Sequence, residues 1–464
     1  MLARKWGLLG ALVAAAAVLD ACRDDATPMT SPMTPAGSHA PASSVDPATA
    51  LLVRQLTAAR GIIALPRSPH VRPALARLGQ ALLFDPILSG NRNISCATCH
   101  LPAFSTGDGK SLSVGEGGTG FGPARSHPNG VFIPRNAPSV FNLVAMRHLF
   151  WDGRIQTLPS GRIDTPAGAQ VTRDMQRVFE FGPVSAIGLF PVTNRAEMRG
   201  MSGNELAEVP DDRLPQIWNR LMRRLGAIRE YREMFEEAYP DTPFGDMTFA
   251  HASNAMGGFL VDQGSFANTP WDRFLAGNDR ALTVKQLEGA KTFMTLKCSI
   301  CHAGSTFSDE QFHDVAVAQI GPGEGDGAGG RDDFGRMRVT GNPADRYLFR
   351  TTPLRNVELT APYGHDGAIA SLRAFVEHYS ESDLKLLDFD ASVLEPALRG
   401  TLVLNSSAVL LQRDTLLKGV VLTPVLVDQL MDYMSALTDD AARDLSRMTP
   451  ARVPSRLPVM PPRP

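Results

Sequence analysis

Two cysteine pairs, each followed directly by a histidine, have the spacing that most clearly indicates a chemistry. The first pair lies in Cys96-Ala97-Thr98-Cys99-His100 and the second in Cys298-Ser299-Ile300-Cys301-His302. In such a segment the two thiols can form thioethers with porphyrin vinyl groups, and the next imidazole then lies under the iron as its proximal ligand. A redox-active CxxC pair and a zinc site are the rival interpretations. We therefore predict two covalent c-type haems, with His100 and His302 as iron ligands.

The first 22 residues are typical of an export signal. Arg4 and Lys5 precede an apolar run, Leu8 to Leu19, that is too short to span a bilayer comfortably. The run ends in Leu19-Asp20-Ala21-Cys22, which resembles a lipoprotein processing site and predicts that Cys22 is lipidated. A plain secretory signal is the alternative. Since haem c is attached after export, we expect a periplasmic or cell-envelope protein that meets the membrane only through a lipid anchor.

The bulk composition is that of an ordinary globular protein. With 464 residues, of which 43% are hydrophobic and 20% charged, the chain can form two or more domains with buried cores. Its formal charge of −2 provides no basic field, so we expect no nucleic-acid partner. A redox partner is still compatible with this charge, because such docking uses local patches.

Helical periodicity is clearest in 212–239, in 283–297 and after Thr423-Pro424. The first of these predicts an amphipathic surface helix. Two glycine-rich stretches, 103–135 and 321–342, predict loops, and alternating strand patterns are scarce. The sequence therefore predicts a mainly α fold with long loops.

A weak internal repeat divides the chain into two halves. In each half a proline and an asparagine follow the cysteine pair, and an Asp-Gly comes ten residues after that asparagine, as in Asn142 with Asp152-Gly153 and Asn356 with Asp366-Gly367. This pattern indicates duplication of one haem-binding unit. The predicted organisation is a lipoprotein signal peptide (1–22), a flexible tether (23–48), a first haem domain (49–270), a second haem domain (271–440) and an extended tail (441–464).

Residues from about 75 to 440 resemble the bacterial di-haem cytochrome c peroxidase and MauG family. The resemblance implies two cytochrome c-like helical domains with a calcium ion between them. It also implies a reaction that reduces hydrogen peroxide or makes high-valent iron for oxidising a protein. The matching motifs are Leu78-Gly79, Leu82-Leu83-Phe84-Asp85-Pro86, Leu88-Ser89, Arg135-Asn136-Ala137-Pro138-Ser139-Val140-Phe141-Asn142, Phe150-Trp151-Asp152-Gly153-Arg154, Phe312-His313, Leu354-Arg355-Asn356-Val357-Glu358-Leu359-Thr360-Ala361-Pro362-Tyr363 and His365-Asp366-Gly367.

Two catalytic residues follow from the resemblance. Asn194-Arg195-Ala196-Glu197-Met198 is similar to the family's Asn-Pro-Val-Glu-Met segment, whose glutamate is the acid–base group over the first haem. A carboxylate in a dry pocket can move the proton that O–O heterolysis requires. Trp151 falls where the family places an electron-relaying tryptophan between the haems. Without the resemblance, Glu197 would be read as a solvated surface acid and Trp151 as a core aromatic.

Asn136, Thr360 and the carbonyl of Pro362 match the family's calcium ligands, and oxygen donors suit that cation. The alternative for Asn136 is that it caps a turn. His127 lies one position from a histidine that in some family members binds the first iron from the distal side, so it is a candidate ligand. A simple loop histidine is the alternative.

The second axial ligand of the second haem separates the two branches of the family, because the peroxidases use methionine and MauG uses tyrosine. Tyr379, fourteen residues after His365, occupies the matching position. A phenolate stabilises Fe(III) and lowers the potential, whereas a thioether raises it. His378 is an alternative, but helical neighbours point about 100° apart, so both cannot face the iron. The other candidates are Met337, Met431 and Met434.

Three functions are therefore open. The first is a peroxidase that takes electrons from a small cytochrome or cupredoxin and relays them through the second haem. The second is a MauG-like oxidase that uses peroxide and high-valent iron to oxidise a protein or small molecule, and Tyr379 favours it. The third is a non-catalytic electron carrier, against which Glu197 argues. The chain departs from the family at Gly161, where a glutamine is expected, and in longer segments at 162–190 and 199–250.

Overall fold

The computed structural model describes residues 46–459. The predictions for the signal peptide, for Cys22, for most of the tether and for 460–464 lie outside these residues. Between 46 and 459 the α-helices are α1 (Pro47–Ala59), α2 (Pro73–Phe84), α3 (Arg173–Arg177), α4 (Leu214–Gly226), α5 (Arg229–Ala238), α6 (Phe249–Gly264), α7 (Pro270–Leu275), α8 (Val284–Thr295), α9 (Cys298–Cys301), α10 (Met337–Thr340), α11 (Leu372–His378), α12 (Ser382–Leu387), α13 (Ser406–Gln412) and α14 (Pro424–Ala436). The strands are β1 (His148–Leu149), β2 (Ile155–Thr157), β3 (Ile163–Asp164), β4 (Phe312–His313) and β5 (Phe349–Arg350).

The predicted mainly α fold with long loops is confirmed. The strands form two small antiparallel sheets, one in the order β1-β2-β3 and one of β4 and β5. Register is set by pairs such as Leu149 with Ile155 and Phe312 with Arg350. Within 46–459, each helix is too short or too polar to cross a membrane.

Two of the three predicted helices begin where their capping residues indicate. The Thr283 hydroxyl accepts a hydrogen bond from the Gln286 amide at the start of α8, and Thr423 caps α14 in front of Pro424. The prediction of one helix over 212–239 is wrong, because α4 ends at Gly226 and α5 begins at Arg229. Gly226 packs against Phe244, whose ring would lie 2.6 Å from a Cβ at this position.

Each cysteine pair follows a helix that packs closely on a neighbour through a glycine. A Cβ on Gly79 of α2 would lie 1.9 Å from the carbonyl oxygen of Ala255 in α6. A Cβ on Gly289 of α8 would lie 2.0 Å from the carbonyl oxygen of Gln429 in α14. Any larger residue would push these backbones apart, so the two glycines set the helix pairs that precede the two sites.

The first and last described segments each pack in the core cluster formed mainly by the other half of the chain. Ala50 and Val53 of α1 pack with α8 and α14, whereas Leu445 and Val453 pack with α2 and α6. The buried carboxylate of Asp85 holds this second segment, accepting hydrogen bonds from the Ser455 hydroxyl at 2.6 Å and the Tyr231 hydroxyl at 2.6 Å. The stretch 441–459 is thus packed, in contrast to the predicted extended tail. The domain boundaries at 49–270 and 271–440 stay predictions.

Candidate haem and catalytic sites

The first cysteine pair begins in the short 3₁₀ turn Cys96–Thr98, in the segment that follows α2. The Thr98 hydroxyl accepts a hydrogen bond from the Ser95 amide, and the His100 amide donates to the carbonyl of Cys96. The Nδ1 atom of His100 lies 3.0 Å from the carbonyl oxygen of Thr106. A carbonyl only accepts, so Nδ1 carries the proton and Nε2 keeps its lone pair. Burial lowers the pKa of His100, which favours the neutral imidazole that metal binding requires.

The second pair repeats this arrangement. Cys298 and Cys301 bracket the single turn α9, and the Nδ1 atom of His302 lies 3.0 Å from the carbonyl oxygen of Phe307. Burial again lowers the imidazole pKa and raises the pKa of Cys298 to about 11. Neither of these cysteines forms a disulfide, nor do Cys96 and Cys99. Each site therefore presents two thiols and one imidazole with an available Nε2.

A cavity of about 530 Å³ opens at the second site. Its wall contains Cys298, Cys301 and His302, and much of the rest is apolar. Two thioether-forming sulfurs, a nitrogen ligand and an apolar wall are the donor set that a covalently attached porphyrin needs, so these residues fit haem c. The apolar lining includes Phe293, Leu354, Leu372, Phe375, Leu422 and Leu430.

Two of the candidate second axial ligands of the second haem line the cavity. Tyr379 lines it, and burial raises the pKa of this phenol. His378 is buried outside the cavity wall, with its Nε2 2.7 Å from the carbonyl oxygen of Val315. Of the three methionines considered from sequence, Met434 lies in the wall. Among the candidate second axial ligands named from the sequence, Tyr379 and Met434 thus line this cavity.

The residues matched to calcium binding and electron relay line the same cavity. Asn136, Thr360 and Pro362 all contribute to its wall, as does Trp151. The indole nitrogen of Trp151 donates to the carbonyl of Asn136 at 2.9 Å, and the Asn136 side-chain amide donates to the carbonyl of Lys110 at 2.9 Å. Asn136 and Trp151 from the first half of the chain therefore line the same cavity as Thr360 and Pro362 from the second half. Three of them supply neutral oxygen donors, which suit Ca²⁺.

Glu197 occupies a short π-helical turn, Arg195–Arg199, beside the first cysteine pair. The Oδ1 atom of Asn194 accepts hydrogen bonds from the amides of Ala196 and Glu197, and its Nδ2 atom donates to Glu197 Oε1 at 3.0 Å. In the same turn, the Met198 sulfur lies 4.0 Å from the Cys96 sulfur. The sequence-predicted acid–base residue and the first site are therefore neighbours.

The surroundings of Glu197 have opposing effects on the pKa of its carboxyl group. Burial raises the pKa of its carboxyl group above the ordinary 4.5, the positive charge of Arg154 lowers it, and the negative charge of Glu324 raises it. The charge of Glu197 in turn contributes to the raised pKa of Cys96, which is due first to burial. The result is a carboxyl group that protonates more readily than an exposed one.

Two glycines allow the turn that carries Glu197 to be enclosed by backbone. A Cβ on Gly90 would lie 1.8 Å from the carbonyl oxygen of Arg199, and one on Gly115 would lie 2.0 Å from that of Ala196. The Gly90 amide donates to the carbonyl of Met198 at 2.8 Å, and the Glu116 amide donates to that of Ala196 at 3.0 Å. The turn is thus held between the segment before Cys96 and the first glycine-rich loop.

His127 stays within that loop. Its Nδ1 atom accepts a hydrogen bond from the Asn129 amide at 3.0 Å, and its Nε2 atom would lie 2.6 Å from a Cβ on Gly117. The buried guanidinium of Arg125 shapes the same loop by donating to the carbonyls of Val114 and Gly115. Binding of His127 to the first iron stays a prediction.

Sequence reasoning missed three charged residues near the sites. Arg154 belongs to the Phe-Trp-Asp-Gly-Arg motif, but only the tryptophan received a role. His313 lies between two carboxylates, 2.5 Å from Asp414 and 3.1 Å from Asp309, next to Cys301. The Phe312-His313 motif was the sequence feature that could have indicated a role for this histidine. Glu324 lies in the second glycine-rich loop, where no spacing indicated a role.

Comparison with known proteins agrees with this geometry. Residues 73–280 match the family model described as di-haem cytochrome c peroxidase. The chain is 32% identical over 298 residues to cytochrome c551 peroxidase of Pseudomonas aeruginosa, covering 64% of this chain and 68% of that protein. The chain belongs to the di-haem cytochrome c peroxidase and MauG family. It is thus a peroxidase-type oxidoreductase, and the family implies two haem c groups.

Both branches of the family are represented among its relatives. The chain is 30% identical over 319 residues to the methylamine utilization protein MauG of Methylorubrum extorquens, covering 68% of this chain and 70% of that protein. A MauG-like protein associated with microbial copper homeostasis has a similar structure, with a TM-score of 0.59 and 24% identity over 84% of this chain and 98% of that one. The diheme peroxidase BthA from Burkholderia thailandensis gives a TM-score of 0.52 and 21% identity over 81% and 88%. These two structures show the shared fold.

Proposed function

We propose that the chain reduces hydrogen peroxide at the first site, with electrons relayed through the second. The observation that carries this proposal is the Glu197 carboxyl group, held by Asn194 beside the first cysteine pair in surroundings that raise its pKa. When bound, the haem iron at His100 supplies the electrons that break the O–O bond. Peroxide, two electrons and two protons give two water molecules, so the protein must deliver protons as well as electrons.

Glu197 is the residue that we assign to proton delivery. The Asn194 side-chain amide donates a hydrogen bond to Oε1 and thereby restrains the carboxyl group. We propose that the ionised group takes the proton from one peroxide oxygen and returns it to the oxygen that leaves as water. A raised pKa suits both steps, because it lies closer to the working pH than that of an exposed glutamate.

The second site would receive and store electrons. We assign the electron relay to Trp151, whose indole is fixed by its hydrogen bond to Asn136, and calcium binding to Asn136, Thr360 and Pro362. The electron donor would be a small c-type cytochrome or cupredoxin. We further propose a cell-envelope location with a lipid anchor at Cys22.

A second candidate function is a MauG-like oxidase that withdraws electrons from a protein or small-molecule substrate. The presence of Tyr379 in the cavity wall favours this function. A phenolate ligand would lower the potential of the second haem, so this haem would be a poor acceptor of electrons from a mild donor. If Met434, which lies in the same wall, were the ligand instead, its thioether would raise the potential of the second haem.

Replacement of Tyr379 and of Met434 distinguishes the two functions. If Tyr379 is the ligand, Tyr379→Phe will raise the reduction potential of the second haem and change its low-spin electron paramagnetic resonance signal, because the oxygen ligand is lost. Met434→Leu will leave both unchanged. Spectroelectrochemistry measures the potentials, and the opposite pattern would assign Met434 as the ligand and favour the peroxidase.

Replacement of Glu197 tests the proton-transfer role. Glu197→Gln removes the ionisable group but keeps its size, so peroxide turnover should fall by roughly a hundredfold with both haems retained. Glu233→Gln, at an exposed carboxylate of α5, is the matched control and should keep the native rate. Steady-state kinetics with a small electron donor measure both, and native turnover in Glu197→Gln would remove this residue from the mechanism.

The pH dependence of turnover tests the charge environment of Glu197. The rate should fall as the pH drops through the Glu197 pKa, because the protonated group cannot accept a proton. Glu324→Gln removes a negative charge that raises this pKa, so the acid limb of the profile should move to lower pH. Glu233→Gln again serves as control. An acid limb that stays in place, or moves to higher pH, would contradict this role for Glu324.

A further inference from the structure

Two arginines flank Glu197 and bind one shared carboxylate. Arg195 and Arg199 lie two residues before and two after Glu197, at the ends of the π-helical turn. The Nε atom of Arg195 lies 2.8 Å, and the Nη1 atom of Arg199 2.6 Å, from the same Oδ1 atom of Asp211. Asp211 thus joins the two ends of the turn that carries the acid–base residue.

The remaining donors of the two guanidinium groups bind the segment between the turn and Asp211. Arg195 donates to the carbonyls of Met201 at 2.8 Å and Ala207 at 3.2 Å. Arg199 donates to the carbonyl of Leu206 at 2.9 Å and also to that of Val209. The Arg199 side chain is only 1% exposed, so it needs this full set of acceptors and a counter-charge to be stable.

Asn204 ties the segment 200–211 back to the first site. Its Nδ2 atom donates to the carbonyl of Arg199 and to Asn91 Oδ1, each at 3.1 Å. Its Oδ1 atom accepts from the amides of Leu206 and Ala207, each at 2.9 Å. Asn91 lies five residues before Cys96. The segment therefore forms a brace from the Glu197 turn to the chain that leads into the first cysteine pair.

We propose that Asp211 is a positioning residue for peroxide reduction and that segment 200–211 braces the catalytic turn. This inference rests on the proposed acid–base role of Glu197. Glu197 is the central residue of a five-residue turn, so fixing both ends fixes the position of its carboxyl group. A displacement of about 1 Å in a catalytic group can cost on the order of a hundredfold in rate, so the brace acts on turnover while touching neither substrate nor haem ligand.

The test uses the haem-loaded protein with Asp211→Ala and Asp211→Asn. Asp211→Ala removes the shared acceptor, and we expect kcat for peroxide to fall on the order of tenfold, less than for loss of the proton carrier itself. The KM for peroxide, the haem content and both reduction potentials should be unchanged. Asp211→Asn keeps an acceptor oxygen and should recover part of the rate. Asp174→Ala, which breaks the exposed ion pair with Arg177, is the matched control and should behave as the native protein.

Amide hydrogen exchange gives a readout that does not depend on activity. The amides of Met198, Arg199 and Gly200 donate within the turn, to the carbonyls of Asn194 and Arg195. They should exchange faster in Asp211→Ala than in the native protein or in Asp174→Ala. A global loss of structure would instead accelerate exchange throughout α2 and α6, which pack in the same core.

The outcomes separate the two proposals. If Glu197→Gln slows turnover but Asp211→Ala keeps the native kcat and the native exchange rates, the brace is overturned while the proposed function stands. Native turnover in Glu197→Gln would overturn both. If Asp211→Ala yields no folded protein, Arg195→Gln provides the test, because the buried Arg199 keeps its partner Asp211. We expect a several-fold lower kcat for this variant, and a native kcat would overturn the brace.

Discussion

Both sites depend on one hydrogen bond, from the Nδ1 atom of a half-buried histidine to a backbone carbonyl. In His100 the acceptor is Thr106, and in His302 it is Phe307. The bond fixes the tautomer, orients the ring and leaves Nε2 free for iron. Because the two cysteines precede the histidine by one and four residues, the same local turn also sets where a porphyrin could be attached. The rest of the fold holds these turns against the helices that precede them.

Close backbone packing positions the Glu197 turn beside the first of these two sites. Gly79 and Gly289 let the helix before each cysteine pair lie against its neighbour, and Gly90 and Gly115 let backbone enclose the Glu197 turn. Glycine is required at these four positions because a side chain would meet a carbonyl oxygen. The carboxyl group of Glu197 is thereby brought to the first site in surroundings that raise its pKa. Position and proton affinity thus have a common structural origin.

Local signals predicted much of the fold and part of the site. The capping threonines of α8 and α14 and the spacing of Cys-x-x-Cys-His depend on neighbouring residues alone, so they could be interpreted from the sequence. The Asn-x-x-Glu-Met motif pointed to Glu197, and the structure brings it to Cys96. The 100° step between helical neighbours indicated that His378 and Tyr379 point in different directions. It did not indicate which of the two side chains faces the cavity. That choice depends on the carbonyl of Val315, which is distant in sequence.

Long-range contacts account for what the sequence did not reveal. The packing of 441–459 includes the hydrogen bond from Ser455 to Asp85, and the charge of Glu324 acts on Glu197 from the other half of the chain. The ion pairs of Asp211 with Arg195 and Arg199 join residues whose charges alone are typical of a solvated surface. Such contacts leave no periodic pattern, so they could be found only in the folded structure.

The central claim is that one porphyrin is attached to each cysteine pair. The most direct measurement is mass spectrometry of proteolytic peptides from protein made in a host that matures c-type cytochromes. We predict that the peptide with Cys96 and Cys99 and the peptide with Cys298 and Cys301 each carry one haem through two thioether bonds. Recovery of either peptide with both thiols free in fully matured protein would contradict it.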